Sequence, residues 1–185
     1  MRLVSFDFDD TLCLTPLEPN GKVIYKEKTG SDFPNVNWWK SPLSLDTKIF
    51  DIPVNKWVYD RYLIESNDPD NYMILVTGRV ESLRDEVQEI LDMHNLNFKE
   101  VHLNPGIHNT YDFKLKLFKD KIKELGVDEF YMFDDRAEHI KMFKEWSLSV
   151  RDVRIKIFDV IKDEVFDNFD IDYKKIKNFK DFLNK

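Results

Sequence analysis

Apolar residues fall along this chain in short blocks that stop abruptly at acidic or hydroxyl groups. Arg2-Leu3-Val4-Ser5-Phe6 runs straight into Asp7, Tyr72-Met73-Ile74-Leu75-Val76 into Thr77-Gly78-Arg79, and Phe130-Tyr131-Met132-Phe133 into Asp134-Asp135-Arg136. Blocks of this length, bounded by polar residues, read as strands buried on both faces, as in a parallel sheet. Between them the apolar period lengthens. Val80, Leu83, Val87, Ile90 and Leu91 recur at helical spacing over residues 80–96. Residues 112–125 follow a candidate N-cap at Thr110 and close on Gly126, a good residue just past a helix. Ile140, Phe143 and Trp146 stripe a third helix over 137–146. Residues 98–103 make a further strand, and Val153, Ile155 and Ile157 alternate with charged residues as an edge strand does. Ile176, Phe179 and Leu183 mark a terminal helix over 173–184. Strands alternating with helices predict an α/β fold: a mostly parallel sheet with helices on both faces.

One stretch breaks the rhythm. Residues 13–70 hold six of the seven prolines and three of the four tryptophans. Long irregular insertions in a small domain are usually functional. The segment is expected to fold in part, with a helix over 55–66, and to lie over the strand ends as a cap-like insertion. The whole chain, 1–185, then reads as a single domain, with 147–185 as a C-terminal extension.

Composition narrows the class. With 42% hydrophobic and 34% charged residues the chain is neither disordered nor a membrane protein, and no apolar run approaches the roughly 20 residues a membrane helix needs. No N-terminal signal is apparent, so the expectation is a soluble, cytoplasmic protein without a membrane partner. A single cysteine excludes a disulfide framework and a cysteine-rich zinc site. The net charge of −7 argues against a protein that coats nucleic acid through bulk charge. That acidity is uneven, however. Residues 1–110 hold 11 basic and 18 acidic groups, whereas residues 111–185 hold 17 of each, which leaves room for a strand end held at one site.

The chemistry collects where the strands end, the edge at which open parallel sheets bind ligands. Asp7 and Asp9 are two apart, so alternation points them to one side. Paired carboxylates repel unless a cation or proton intervenes, and Asp134-Asp135 repeats the arrangement. Four carboxylates with little histidine or cysteine nearby suit a hard cation such as Mg²⁺. The competing reading of any one pair is a helix cap or turn. Lys114 is either one solvated lysine among five in its helix or a cation kept in the first turn to meet a phosphate. Arg79 can grip a phosphate with two bonds or pair with an active-site Asp. Arg136 is expected to brace the Asp pair. Trp38 and Trp39 can stack bases beside the site or anchor the Pro-rich segment to the core. Asp10 reads as a local cap, Cys13 as a small core residue and His139 as a helix residue under the insertion.

Asp7-Phe8-Asp9-Asp10-Thr11-Leu12 resembles the first motif, D-x-D-x-T-[LV], of the haloacid-dehalogenase-like (HAD) superfamily. Thr77, Lys114 and Asp134-Asp135 match its second, third and fourth motifs in order. Within it the chain is most similar to the HAD domain of "Swiss Army knife" RNA-repair proteins. The residues carrying that likeness are Asn37-Trp38-Trp39-Lys40-Ser41-Pro42, Leu75 to Arg79, His102-Leu103-Asn104-Pro105, Phe113-Lys114 and Asp134 to His139. The likeness spans about residues 1–146, and there is some similarity to polynucleotide 3′-phosphatases.

The resemblance implies a Rossmann-like three-layer sandwich and a Mg²⁺-dependent phosphomonoester hydrolase with an aspartyl-phosphate intermediate. Its substrate would be a phosphorylated RNA or DNA end, such as a 3′-phosphate. Asp7 would be the nucleophile and Asp9 the general acid and base. Thr77 and Lys114 would hold the transferring oxygens. Asp7, the Asp9 backbone carbonyl and at least one of Asp134 and Asp135 would bind the metal. Apart from the resemblance, Arg79, Gly78, Trp38 and Trp39 are the candidates for holding the substrate. A nucleotidase or other small-molecule phosphatase is the first alternative, and a non-catalytic binding module in repair the second.

Overall fold

The computed structural model describes residues 1–106 and 109–170. In chain order the elements are β1 (Arg2–Phe6), α1 (Glu18–Thr29), α2 (Lys56–Ser66), β2 (Asn71–Val80), α3 (Arg84–Met93), β3 (Glu100–Asn104), α4 (Thr110–Leu125), β4 (Glu129–Asp134), α5 (Ala137–Ser147), β5 (Arg154–Asp159) and β6 (Glu164–Asp167). They form one six-stranded sheet in the order β3-β2-β1-β4-β5-β6. All pairings are parallel except the last, β5 with β6. Strand order therefore reverses around β1, between β2 and β4, and the crevice of such a sheet opens at that point.

Side-chain alternation sorts the core into two layers. Leu3, Ile74, Met132 and Ile157 face one way, against Phe118 of α4 and Ile140 and Phe143 of α5. Val4, Phe6, Met73, Leu75 and Phe133 face the other, against α2 and α3. Along the second layer the Phe6 and Phe133 rings stack at 4.5 Å, and Phe133 and Phe158 at 4.2 Å.

The Pro-rich segment supplies much of that second layer. Trp38, Leu45, Phe50, Ile52, Val58 and Tyr62 share one cluster with Phe6 and Leu75. The segment therefore covers the sheet face as well as the strand ends. Trp38, a candidate base-stacking residue, is 1% exposed, and its indole N–H donates to Pro16 O at 3.1 Å. Its ring lies against Phe33 and Phe50 and packs so closely under α1 that a Cβ on Gly21 would sit 2.2 Å from it. The stacking role is corrected: Trp38 is an anchor of the segment. Trp38→Ala is expected to cost about 3 kcal/mol, read as a lower urea midpoint, because it removes a buried indole and opens a cavity.

Other expectations are refined by packing. β2 runs through Thr77-Gly78-Arg79 to Val80 instead of stopping at Val76, its register against β3 shifting between Thr77 and Val80. The following helix consequently starts at Arg84. β5, expected at the edge, is interior, since β6 pairs along its outer side. The N-cap of α4 is Asn109, whose side chain accepts from Asp112 N–H, and not Thr110. The helix expected over 173–184 lies outside the described residues. Among those residues no helix is long and apolar enough to cross a membrane.

Candidate active site

The ladder between β1 and β4 continues one bond past Phe6, from Asp7 N–H to Phe133 O at 3.0 Å. The chain then curls back, with Leu12 N–H on Asp7 O and Cys13 N–H on Phe8 O. Asp10 takes the left-handed bend at φ 50°, a conformation Asp tolerates better than most residues. Phe8, Leu12 and Cys13 sink into the core, and burial pushes the Cys13 thiol up to about 12. Asp7 and Asp9 are left facing the crevice.

β4 delivers the other carboxylates. Asp134 is 1% exposed and accepts from Arg136 N–H at 3.0 Å, while Asp135 accepts from Thr11 Oγ1 at 3.2 Å. Asp7, Asp134 and Asp135 each offer an oxygen, and these oxygens all lie within 4.8 Å of one another. One cation is already built in: Lys114 Nζ lies 2.9 Å from Asp7 Oδ2 and 2.8 Å from Asp134 Oδ2. Because α4 begins at Thr110, Lys114 stands in its second turn and not its first. Two carboxylates hold it there at 1% exposure.

One lysine does not neutralise three acids. Burial pushes the Asp7 carboxyl up to about 7, with Lys114 opposing and the charges of Asp134 and Asp135 reinforcing the rise. Burial and the Asp134 charge push Asp135 up to about 6. Burial alone would lower Lys114, but Asp134 and Asp7 raise it above its ordinary value, so it stays charged. Three oxygen donors with a surplus of negative charge fit a hard divalent cation, which would favour their ionised forms.

Asp9 sits in a separate network. Arg79 Nε and Nη2 both donate to its carboxylate, at 3.0 and 2.7 Å, and Thr15 Oγ1 donates at 2.8 Å. Arg79 is 1% exposed, its Nη1 donating to Ser44 Oγ at 2.8 Å and its guanidinium lying 4.8 Å from the centre of the Trp39 ring. Of the two readings of Arg79, the structure adopts the ion pair with an active-site Asp. Thr77 is fully buried; its hydroxyl accepts from Arg79 N–H at 3.1 Å and approaches Asp9 Oδ2 at 3.5 Å. Thr15 and Ser44 carried no sequence signal, whereas Thr11 stands inside the D-x-D-x-T pattern.

Above these groups opens a cavity of about 340 Å³ lined by Asp7, Asp9, Asp135, Arg79, Trp39 and Leu17, with Gly78, Thr110 and Arg136 along one side. Trp39 is 36% exposed, unlike Trp38. Arg136 braces Asp134 through its backbone N–H only; its side chain reaches His139 Nε2 at 3.3 Å. His139 packs beside Tyr111 and Phe143 of the opposite layer, not under the insertion. Burial lowers its imidazole to about 4.

Two solved structures share the fold. One, described as the structure of the Pnkp1/Rnl/Hen1 RNA repair complex, matches with a TM-score of 0.53 and 18% identity over 78% of this chain and 39% of that one. Another, of a Pnkp1/Rnl/Hen1 complex, matches with a TM-score of 0.53 and 16% identity over 77% of this chain and 42% of that one. This chain thus spans about two fifths of the length of those chains. A sequence profile described as HAD domain family 1 in Swiss Army Knife RNA repair proteins matches residues 19–185. The match takes in residues 147–185 and begins after the Asp7–Asp9 loop. The chain belongs to this HAD domain family of Swiss Army Knife RNA repair proteins.

Proposed function

We propose that the protein is a phosphomonoester hydrolase of nucleic-acid ends, RNA ends foremost, working through an aspartyl-phosphate on Asp7. The observation that carries this reading is the convergence of Asp7, Asp134 and Asp135 on one point beside buried Lys114, at the reversal of strand order. The RNA-repair setting of the family favours the substrate class.

Asp7 attacks phosphorus with its outward oxygen, while Lys114 holds its other oxygen and fixes the angle of approach. Asp9 gives a proton to the leaving oxygen and later takes one from the water that cleaves the aspartyl-phosphate. Arg79 and Thr15 both donate into the Asp9 carboxylate, so part of that network turns away when Asp9 gives its proton. Asp7, Asp134, Asp135 and the Asp9 carbonyl would hold Mg²⁺. When bound, the metal offsets the charge of nucleophile and phosphate so that two anions can meet. Thr77 maintains Asp9 and the Arg79 backbone in place.

The test is a panel of 3′- and 5′-phosphorylated oligoribonucleotides, mononucleotides and p-nitrophenyl phosphate with Mg²⁺. Phosphorylated ends are expected to be the best substrates. Trp39→Ala should reduce kcat/KM on them by about tenfold, the loss of one stacked base. A preference for mononucleotides, indifferent to Trp39, would instead establish the nucleotidase alternative, which the modest 340 Å³ volume of the cavity favours.

A further inference from the structure

The cavity over Asp7 does not end at Gly78. A second one, about 560 Å³, begins there, sharing Gly78, Thr110 and Arg136 with the first. Its further walls include Lys40, Asn104, Asn109, Tyr111, His139 and Met142. Both volumes fall within the ~300–1,000 Å³ span of ligand sites, the first at its low end. The two adjoin across those shared residues, with Trp39 lining the first and its neighbour Lys40 the second.

We propose that this second cavity seats the nucleotide adjoining the phosphorylated end, so that the two cavities together read a polymer and not a free nucleotide. This rests on the phosphatase reading above. A strand end would place its phosphate at Asp7, its terminal nucleoside under Trp39 and its next nucleotide beyond Gly78.

Three observations support this. The ridge between the cavities is a glycine, and a Cβ there would lie 2.9 Å from both Thr110 Oγ1 and Cγ2. Any side chain at Gly78 therefore presses on Thr110 at the passage between the two halves. Beyond the ridge stands an aromatic ring already held in place: Tyr111 packs on Phe143 at 4.8 Å, and its hydroxyl donates to Met142 O at 3.4 Å. A ring that is ordered before binding stacks a base at little entropic cost. The charges here, Lys40 and Arg136 against Asp112 and Glu138, nearly cancel. Such a site adds grip on one nucleotide without attracting nucleic acid in bulk, in keeping with the net charge of −7.

The experiment measures binding, so that it does not depend on turnover. The Asp7→Asn protein in Mg²⁺ is titrated with a 3′-phosphorylated oligoribonucleotide labelled at its far end, and separately with the matching nucleoside 3′-monophosphate as competitor. Lys40→Ala and Tyr111→Ala on this background are each expected to weaken the oligomer by about tenfold and leave the mononucleotide unchanged. Lys40 is exposed, so its variant keeps the test valid if Tyr111→Ala disturbs the fold. An oligomer bound no tighter than the mononucleotide, or a loss shared equally by both, overturns the proposal. Wild-type turnover of the RNA and of p-nitrophenyl phosphate reports on the phosphatase reading separately.

Discussion

Asp7→Asn is expected to cut phosphatase turnover by more than about a thousandfold, because the amide cannot form the covalent intermediate. The same change is expected to stabilise the metal-free protein at neutral pH. Asp7 lies about 3 Å from the Lys114 ammonium, yet burial, with the charges of Asp134 and Asp135, pushes its carboxyl up to about 7 from the ordinary 3.8. The folded state thus binds a proton across that window that the unfolded state has released. Stability falls as pH rises from about 4 to about 7, and the full cost of ionising Asp7 is present above that. Asparagine escapes it. Without metal, the unfolding free energy of Asp7→Asn, read by urea denaturation, should exceed that of wild type by about 2–4 kcal/mol near pH ~8 and match it near pH ~4. Added Mg²⁺ should raise the wild type and narrow the gap. Retained turnover would remove Asp7 as nucleophile, and a variant less stable than wild type near pH ~8 would sink the electrostatic account.

Lys114→Met has the opposite sign. It deprives Asp7 and Asp134 of their shared partner, and Asp134 is 1% exposed. Breaking a buried charge network by removing one member costs about 3–5 kcal/mol, since the charges left behind stay desolvated. Turnover should be lost as well, because Asp7 keeps the Phe8 N–H on Oδ1 but loses the ammonium that holds Oδ2. The double variant Lys114→Met/Asp7→Asn separates charge from packing. If repulsion is the cause, removing Asp7's charge restores part of the stability lost with Lys114, and the two effects fail to add. Additive losses measured by urea denaturation would show that Lys114 matters by its stem alone.

What was legible in the sequence follows from how each signal is encoded. β1 and β4 are plain because a strand buried on both faces must be apolar throughout, and the acids at their ends, Asp7, Asp134 and Asp135, stand out against it. α1 is not, because Ile24 and Tyr25 of Glu18–Thr29 are only partly buried against the core and its one buried residue is Gly21. Its placement depends on the indole of Trp38, a contact no periodicity reveals. The true end of β2 is hidden because Thr77-Gly78-Arg79 reads as a turn, while a register shift lets the strand absorb it. The partners of Arg79 are hidden for a related reason: Asp9 comes from the loop after β1, and Trp39 and Ser44 from the Pro-rich segment, both far from Arg79 in sequence. Pairings of that kind are set by tertiary structure, and only the motif residues themselves can be read in one dimension.

The stacked rings of Phe6, Phe133 and Phe158 lie on three neighbouring strands, each one residue upstream of an aspartate: Asp7, Asp134 and Asp159. The acidic row therefore takes its alignment from a hydrocarbon row beneath it. Ring stacking does not respond to protons or dissolved ions, whereas every carboxylate above it does. The ring row thus gives the aspartates a support whose packing does not depend on their charge.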